Sequence, residues 1–143
     1  MDRFPLPSPL RYSYESSFKP SHLGCDIFAP KYSAVVAVEH GKAWSAREPK
    51  GGKVVYLLGD SGARYFYAHL DSLGLGVITA TASEPAEVFS GEQLGTVGTT
   101  GNADGRPPHL HFQIRRGLDV VDPFPELFEA DPHHRGVIPQ PGV

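Results

Sequence analysis

The stretch His109-Leu110-His111-Phe112-Gln113-Ile114-Arg115 decides the reading of this chain. Polar and apolar residues alternate through it, the period of a strand with one wet face and one buried face. Residues two apart on a strand share a face, roughly 6.5–7 Å from each other. His109 and His111 therefore face one cleft, while Leu110 and Phe112 face the apolar side. A second motif, His22-Leu23-Gly24-Cys25-Asp26, reads the same way. If extended, it puts His22, Gly24 and Asp26 on one face, with Gly24 leaving open space between the two polar groups. Leu23, Cys25 and Ile27 then alternate onto the buried side. A further histidine, His69, lies in Tyr67-Ala68-His69-Leu70 and gives the constellation a spare base. The two motifs supply imidazoles and a carboxylate, the N/O donors that a catalytic zinc ion prefers. Convergence of these groups predicts a zinc hydrolase.

The rest of the chain reads as short strands and turns. Residues 51–58 and 63–70 form the clearest hairpin, joined by the turn residues Gly59-Asp60-Ser61-Gly62. In its second arm, parity puts Tyr65, Tyr67 and His69 on one face, so His69 sits on an aromatic-lined surface beside Tyr67. Residues 34–44 alternate through Val35, Val36 and Val38 and turn at His40-Gly41. Residues 91–97 read as another strand, and the glycine-rich loop 98–108 leads into His109 as a rim of the cleft. Asp122-Pro123 offers an N-cap and first-turn proline for a short helix through Glu129. The fold class is mainly β, a compact antiparallel β-sheet assembly with one short C-terminal helix. No repeat or linker divides it, so residues 1–143 form a single domain, with 1–20 an extended arm along its edge and 131–143 a loose tail.

Composition narrows the function classes. A chain of 143 residues suffices for one domain with a hydrophobic core, and 16 glycines with 14 prolines leave little room for long helices. The net charge of −3 comes without a basic cluster, which argues against nucleic acid. No run approaches the roughly 20 apolar residues of a membrane-spanning helix. The single cysteine, Cys25, excludes an internal disulfide, and its parity points it into the core. Met1-Asp2-Arg3-Phe4-Pro5 lacks the basic and apolar regions of a signal peptide.

The motifs recur in a familiar order. Ser21-His22-Leu23-Gly24-Cys25-Asp26-Ile27-Phe28-Ala29-Pro30 is followed by Gly51-Gly52-Lys53-Val54-Val55 and Tyr67-Ala68-His69-Leu70-Asp71. Then come Gly91-Glu92-Gln93-Leu94-Gly95, Val97-Gly98-Thr99-Thr100-Gly101-Asn102-Ala103 and His109-Leu110-His111-Phe112. These blocks, spread over about Phe18 to Phe124, resemble the LytM/lysostaphin type of zinc metallopeptidase, peptidase family M23. The resemblance implies that His22, Asp26 and His111 bind one Zn²⁺ and that His69 and His109 are the catalytic pair. It also implies an active-site groove across the sheet and a peptide of bacterial peptidoglycan as substrate. The protein would act as a monomer in the periplasm or outside the cell; the lack of a signal peptide leaves the cytoplasm open. Three departures stand out: Lys31-Tyr32-Ser33-Ala34 replaces the usual Gly-Thr-Pro turn, Cys25 replaces an aliphatic residue, and residues 73–88 match poorly. Two other classes fit less of the pattern. A non-catalytic M23-like regulator of wall hydrolases would not need all five intact positions. A histidine phosphocarrier-like module would leave Asp26 unexplained.

Overall fold

Eleven short strands and one helix carry the chain in a computed structural model that describes residues 1–7 and 11–138. The strands are β1 (Tyr14–Glu15), β2 (Cys25–Phe28), β3 (Ala34–Val36), β4 (Gly41–Glu48), β5 (Gly52–Gly59) and β6 (Arg64–Leu73). They continue with β7 (Ala86–Val88), β8 (Gln93–Val97), β9 (His109–Arg116), β10 (Asp119–Val121) and, after α1 (Phe124–Ala130), β11 (Gly136–Val137). One antiparallel sheet runs β10-β9-β6-β5-β4-β7; β2 also pairs with β9, and β8 pairs with β6 and β3. The mainly β class and the single short helix are as the sequence predicts.

Alternation on β9 does what its pattern demands. Leu110, Phe112 and Ile114 are fully buried against Ile27, Tyr65, Tyr67 and Leu57, while His111 and Gln113 stand on the open face. The β5–β6 hairpin closes through the glycine turn, with Gly62 at φ +91°. The Gly59 and Ala63 backbones hydrogen bond across it at 2.9 Å.

Residues 34–44 depart from the expected alternation. Val35, Val36, Ala37 and Val38 are all buried, and β3 ends at Val36 with a register shift. Where the strand breaks, the Tyr67 hydroxyl satisfies the backbone, accepting from Val38 N at 3.1 Å and donating to Val36 O at 3.3 Å. The helix begins one residue later than expected, because Pro123 holds the cap position. Asp122 still contributes, accepting from Phe124 N at 3.0 Å.

The tail is anchored where looseness was expected. Asp131 is fully buried and accepts from both Tyr12 and Tyr14 hydroxyls, and from His133 N and Arg135 N at 2.9 and 2.7 Å. These bonds lock residues 131–135 onto the N-terminal arm, and β1 pairs in parallel with β11 just beyond. A buried carboxylate without such donors would be strongly destabilising, so the contact specifies its own partners. The remaining part of that expectation, residues 139–143, and residues 8–10 of the arm lie outside the described residues.

Candidate active site

β9 and β2 are neighbours, and their register pairs His111 with Asp26. Asp26 thus stands beside His111 on the open face, with Cys25 and Ile27 buried behind it. His22 reaches the same place by another route than a continuous strand. The Lys19 and His22 backbones bond to each other at 2.8 and 3.1 Å, closing a tight turn at Pro20-Ser21. The turn swings Leu23 out to 40% exposure, against the expected burial, and brings the His22 ring back over Asp26.

Gly24 is needed for a reason opposite to the expected one. The space beside it is filled: a Cβ there would lie 2.8 Å from His111 Cε1 and Nε2, and 2.7 Å from the Phe112 carbonyl oxygen. The glycine lets the His111 ring approach the backbone where the turn meets β2.

The hydrogen bonds around His22 and His111 show which ring nitrogens face Asp26. His111 stands between two acceptors, Asp26 Oδ1 at 2.7 Å from Nδ1 and Gln113 Oε1 at 3.0 Å from Nε2; with its hydrogen on Nε2 and donated to Gln113, Nδ1 is free to act as a ligand beside Asp26. His22 Nδ1 faces Ser17 O at 3.4 Å and Ser17 Oγ at 3.3 Å. Its Nε2 is buried without a hydrogen bond, yet lies 3.2 Å from Asp26 Oδ2. The Asp26 carboxylate is thus flanked by two imidazole nitrogens, one of them without a hydrogen bond, and a cation shared among the three would satisfy them all. These three residues are the one group among the described residues whose donor atoms, all within 4.8 Å of one another, could hold a metal ion. Burial raises the Asp26 pKa, but the His111 hydrogen bond and the surrounding imidazoles outweigh it and bring the carboxyl down to about 2. Asp26 is therefore available as an anionic ligand. Two imidazole nitrogens and a carboxylate, open on one side to a cleft, fit zinc.

The other two histidines share a different arrangement. His109 Nδ1 donates to Pro107 O at 2.9 Å, and His69 Nδ1 donates to Thr100 O at 2.8 Å. Each therefore offers Nε2 as the reactive nitrogen. Their ring centroids are 5.0 Å apart, and His109 Nε2 is 3.9 Å from Asp26 Oδ1. Burial, followed by the neighbouring His109 and His111, lowers the pKa of His69 against the opposing pull of the Thr100 carbonyl. His69 is thus held neutral, as a base must be.

His69 does not share a face with Tyr65 and Tyr67. Those two are buried in the core, whereas His69 lines the cleft. The inversion comes from the backbone: His69 has φ +66°, and the β5–β6 register slips between Lys53 and Val55. A non-glycine residue in the left-handed region costs of order 1–3 kcal/mol. Here it is held by His69 N donating to Gly51 O at 2.8 Å. Loop 98–108 forms the expected rim, and Gly101 at φ +71° packs against the Lys50 carbonyl closely enough to leave no room for a side chain.

All five histidine and aspartate positions read from the sequence line one cleft of about 780 Å³. The sequence reading missed Gln113 and Thr100. Strand parity could have found Gln113, which lies two residues beyond His111 on the same face. No local signal marks Thr100, whose carbonyl arrives from a loop. Cys25 is buried with its thiol pushed up to about 12, chiefly by burial, and takes no part in the cleft.

The profile of peptidase family M23 matches residues 20–123. The L-Ala--D-Glu endopeptidase of Bacillus subtilis (strain 168) is 29% identical over 140 residues, covering 87% of this chain and 42% of the relative. The DD-carboxypeptidase/endopeptidase Mpg of Neisseria meningitidis is 32% identical over 117 residues, covering 77% of this chain and 25% of the relative. The chain thus spans less than half the length of these relatives. Among solved structures, lysostaphin from Staphylococcus simulans superposes with a TM-score of 0.69 at 28% identity, over 94% of this chain and 56% of that one. A candidate glycyl-glycine endopeptidase lytM from Ruminococcus gnavus gives 0.76 at 27% identity, over 96% of this chain and 62% of that one. With the profile spanning most of the chain, the protein belongs to peptidase family M23.

Proposed function

We propose that the protein is a zinc-dependent endopeptidase that hydrolyses peptide bonds in the stem or cross-link peptides of bacterial peptidoglycan. The observation that carries this reading is the buried, unbonded Nε2 of His22 facing Asp26 with His111 Nδ1 on the other side of the same carboxylate. His22 through Nε2, Asp26 through its carboxylate and His111 through Nδ1 would hold the ion. When bound, zinc supplies a water of lowered pKa and an electrophile for the scissile carbonyl.

The chain's own residues do the proton work. His69 and His109 keep their Nδ1 hydrogens on backbone carbonyls, so neither ring can flip its tautomer cheaply. One Nε2 takes the proton of the attacking water and, as the imidazolium, returns it to the leaving amine, so no net proton stays on the site. Gln113 positions His111, and Thr100 and Pro107 position the two bases. The open cleft suits an extended, thin peptide. The endopeptidase names of the Bacillus and Neisseria relatives support a peptide bond as the target, and with a wall peptide as substrate the protein would act outside the cytoplasm.

The test is mass-spectrometric muropeptide analysis of sacculi of several chemotypes, digested with zinc-loaded protein and with Asp26→Ala. Release of new peptide termini by the parent alone is expected. A protein that binds zinc tightly but cuts no chemotype would overturn the catalytic reading in favour of a regulator.

A further inference from the structure

The register of β6 and β9 sets Arg64 directly opposite Arg115. Both are exposed, and strand parity puts them on the open face: Arg115 follows His111 and Gln113 at steps of two, and Arg64 precedes Phe66 by the same step. Like charges directly opposite each other on a sheet are destabilising. A neighbouring carboxylate would relieve that cost, yet the pair is flanked by Leu58 on β5 and Val120 on β10. Along their own strands the same-face neighbours are Phe66 and Gln113, and beyond the pair the chain turns at Gly62 and Gly117. Neither Arg64 nor Arg115 forms an ion pair among the described residues. Other cations nearby are balanced: Arg116, on the opposite face, holds Glu126, and Lys42 stands across from Glu87 on β7. The unbalanced pair belongs to a chain whose net charge is −3.

The two arginines border a concavity of about 520 Å³ with an aromatic floor. Trp44 on β4 pairs with Tyr56 on β5, and Tyr56 with Phe66 on β6. The Trp44 and Tyr56 rings are stacked, 5.5 Å between centroids and 15° between planes, and Phe66 follows at 5.1 Å. The Glu48 carboxylate accepts from the Tyr56 hydroxyl and holds that ring in place. Phe66 and Gln113 line both this concavity and the histidine cleft, so the two are continuous.

We propose that Arg64 and Arg115 form a specificity site for acidic peptides, gripping a free carboxylate of the substrate away from the bond that is cut. The inference rests on the peptidase reading above and names the class of peptide it selects. A guanidinium is weakly hydrated, presents a fork of N–H donors that matches a carboxylate, and packs well on aromatic faces. Clustered arginines are a recurring means of reading acidic peptide motifs. A neutral peptide would leave the repulsion between the two arginines in place, and a cationic one would add to it. A long polyanion would also meet Asp26 and Glu48 in the adjoining cleft, which disfavours it.

The placement sets a register. Arg115 lies four residues beyond His111 on β9, about 13 Å at the usual rise. An extended peptide advances about 3.3–3.6 Å per residue. The recognised carboxylate therefore sits roughly four residues from the bond at the histidines.

Trp44 is the only tryptophan in the chain and borders the same concavity, so its fluorescence reads occupancy. One arm titrates the zinc-loaded protein with N-acetyl-Ala-Glu-Ala-Ala-amide, made with L- or D-glutamate, and with the glutamine counterparts. Saturable binding of a glutamate peptide is expected, about tenfold tighter than that of its glutamine counterpart. Arg64→Gln/Arg115→Gln should lose that preference, and Arg64→Lys/Arg115→Lys should keep part of it. The thermal midpoint of the glutamine variant should stay level or rise, because a repulsion is relieved. The second arm compares initial cleavage rates on muropeptides with free carboxyls and on the same muropeptides amidated with carbodiimide and ammonia. The parent should cut the free form about tenfold faster, and the glutamine variant should cut both alike. Equal affinity for glutamate and glutamine peptides, or an unaltered preference in the glutamine variant, would overturn the proposal. Tighter binding of inorganic tripolyphosphate than of either glutamate peptide would overturn it in favour of a polyanion site. An amidation effect confined to a carboxyl adjoining the cut bond would refute the placement. The two readings fail separately. Cleavage of both muropeptide forms at one rate would refute the arginine site and leave the peptidase standing. A glutamate preference without any cleavage would support the arginine site and refute the peptidase.

Discussion

Replacing Gln113 by leucine removes one hydrogen-bond acceptor and keeps the side-chain volume. In the parent, Gln113 Oε1 lies 3.0 Å from His111 Nε2 and favours the tautomer with the hydrogen on Nε2, which frees Nδ1, 2.7 Å from Asp26 Oδ1, to bind a metal ion. Without that acceptor the ring prefers the opposite tautomer, with Nδ1–H donating to Asp26. A metal ion must then displace a proton from a charge-assisted hydrogen bond before it can use either group. Loss of such an outer partner lowers metal affinity by about 10–100-fold. That range corresponds to roughly 1.4–2.7 kcal/mol. The assay is zinc titration against a competing chelator at fixed pH, with circular dichroism and thermal melting to establish that the fold is intact. Gln113→Glu serves as the paired variant: it keeps an acceptor and adds negative charge, so its affinity should equal or exceed that of the parent. A Gln113→Leu protein that is folded and binds zinc within about twofold of the parent would refute the reasoning.

Three other outcomes follow from the same geometry. Gly24→Ala would push a methyl group into the His111 ring and the Phe112 carbonyl. It should destabilise the fold by about 1–3 kcal/mol in chemical denaturation and weaken zinc binding with it. His69→Ala and His109→Ala should each slow cleavage of sacculi by about 10²–10⁴-fold while zinc content, measured by atomic emission, stays at the parent level. His40 bridges Asp60 at 2.6 Å and Glu87 at 3.1 Å, and the Asp60 hydrogen bond, with Glu87 adding to it, raises its pKa. A raised pKa means stabilisation that is complete below about pH 6.5 and lost as pH climbs through the folded value. The melting difference between parent and His40→Gln should therefore be open near pH 5.5 and closed by about pH 8.5.

Much of this could be read before the structure. The alternation of His109 to Arg115 and the turn Gly59-Asp60-Ser61-Gly62 specify β9 and the β5–β6 hairpin, because strand period and turn chemistry act locally. Parity failed where the backbone leaves ideal geometry. His69 reverses its face through a left-handed residue, and no pattern of polar and apolar letters encodes a dihedral angle. His22 failed for a related reason: a turn, and not a strand, delivers it to Asp26. The tail at Asp131 looked loose because its partners, Tyr12 and Tyr14, lie more than a hundred residues away. Long-range side-chain contacts of that kind leave no local trace.

The central claim is that His22, Asp26 and His111 together hold a zinc ion beside two unligated imidazoles. The most direct measurement is an anomalous difference map, recorded at the zinc edge from crystals of the zinc-loaded protein. The account predicts one strong peak between His22 Nε2, the Asp26 carboxylate and His111 Nδ1, at about 2.0–2.2 Å from each. A peak bridging His69 and His109, or full occupancy at a site that omits His22, would contradict it.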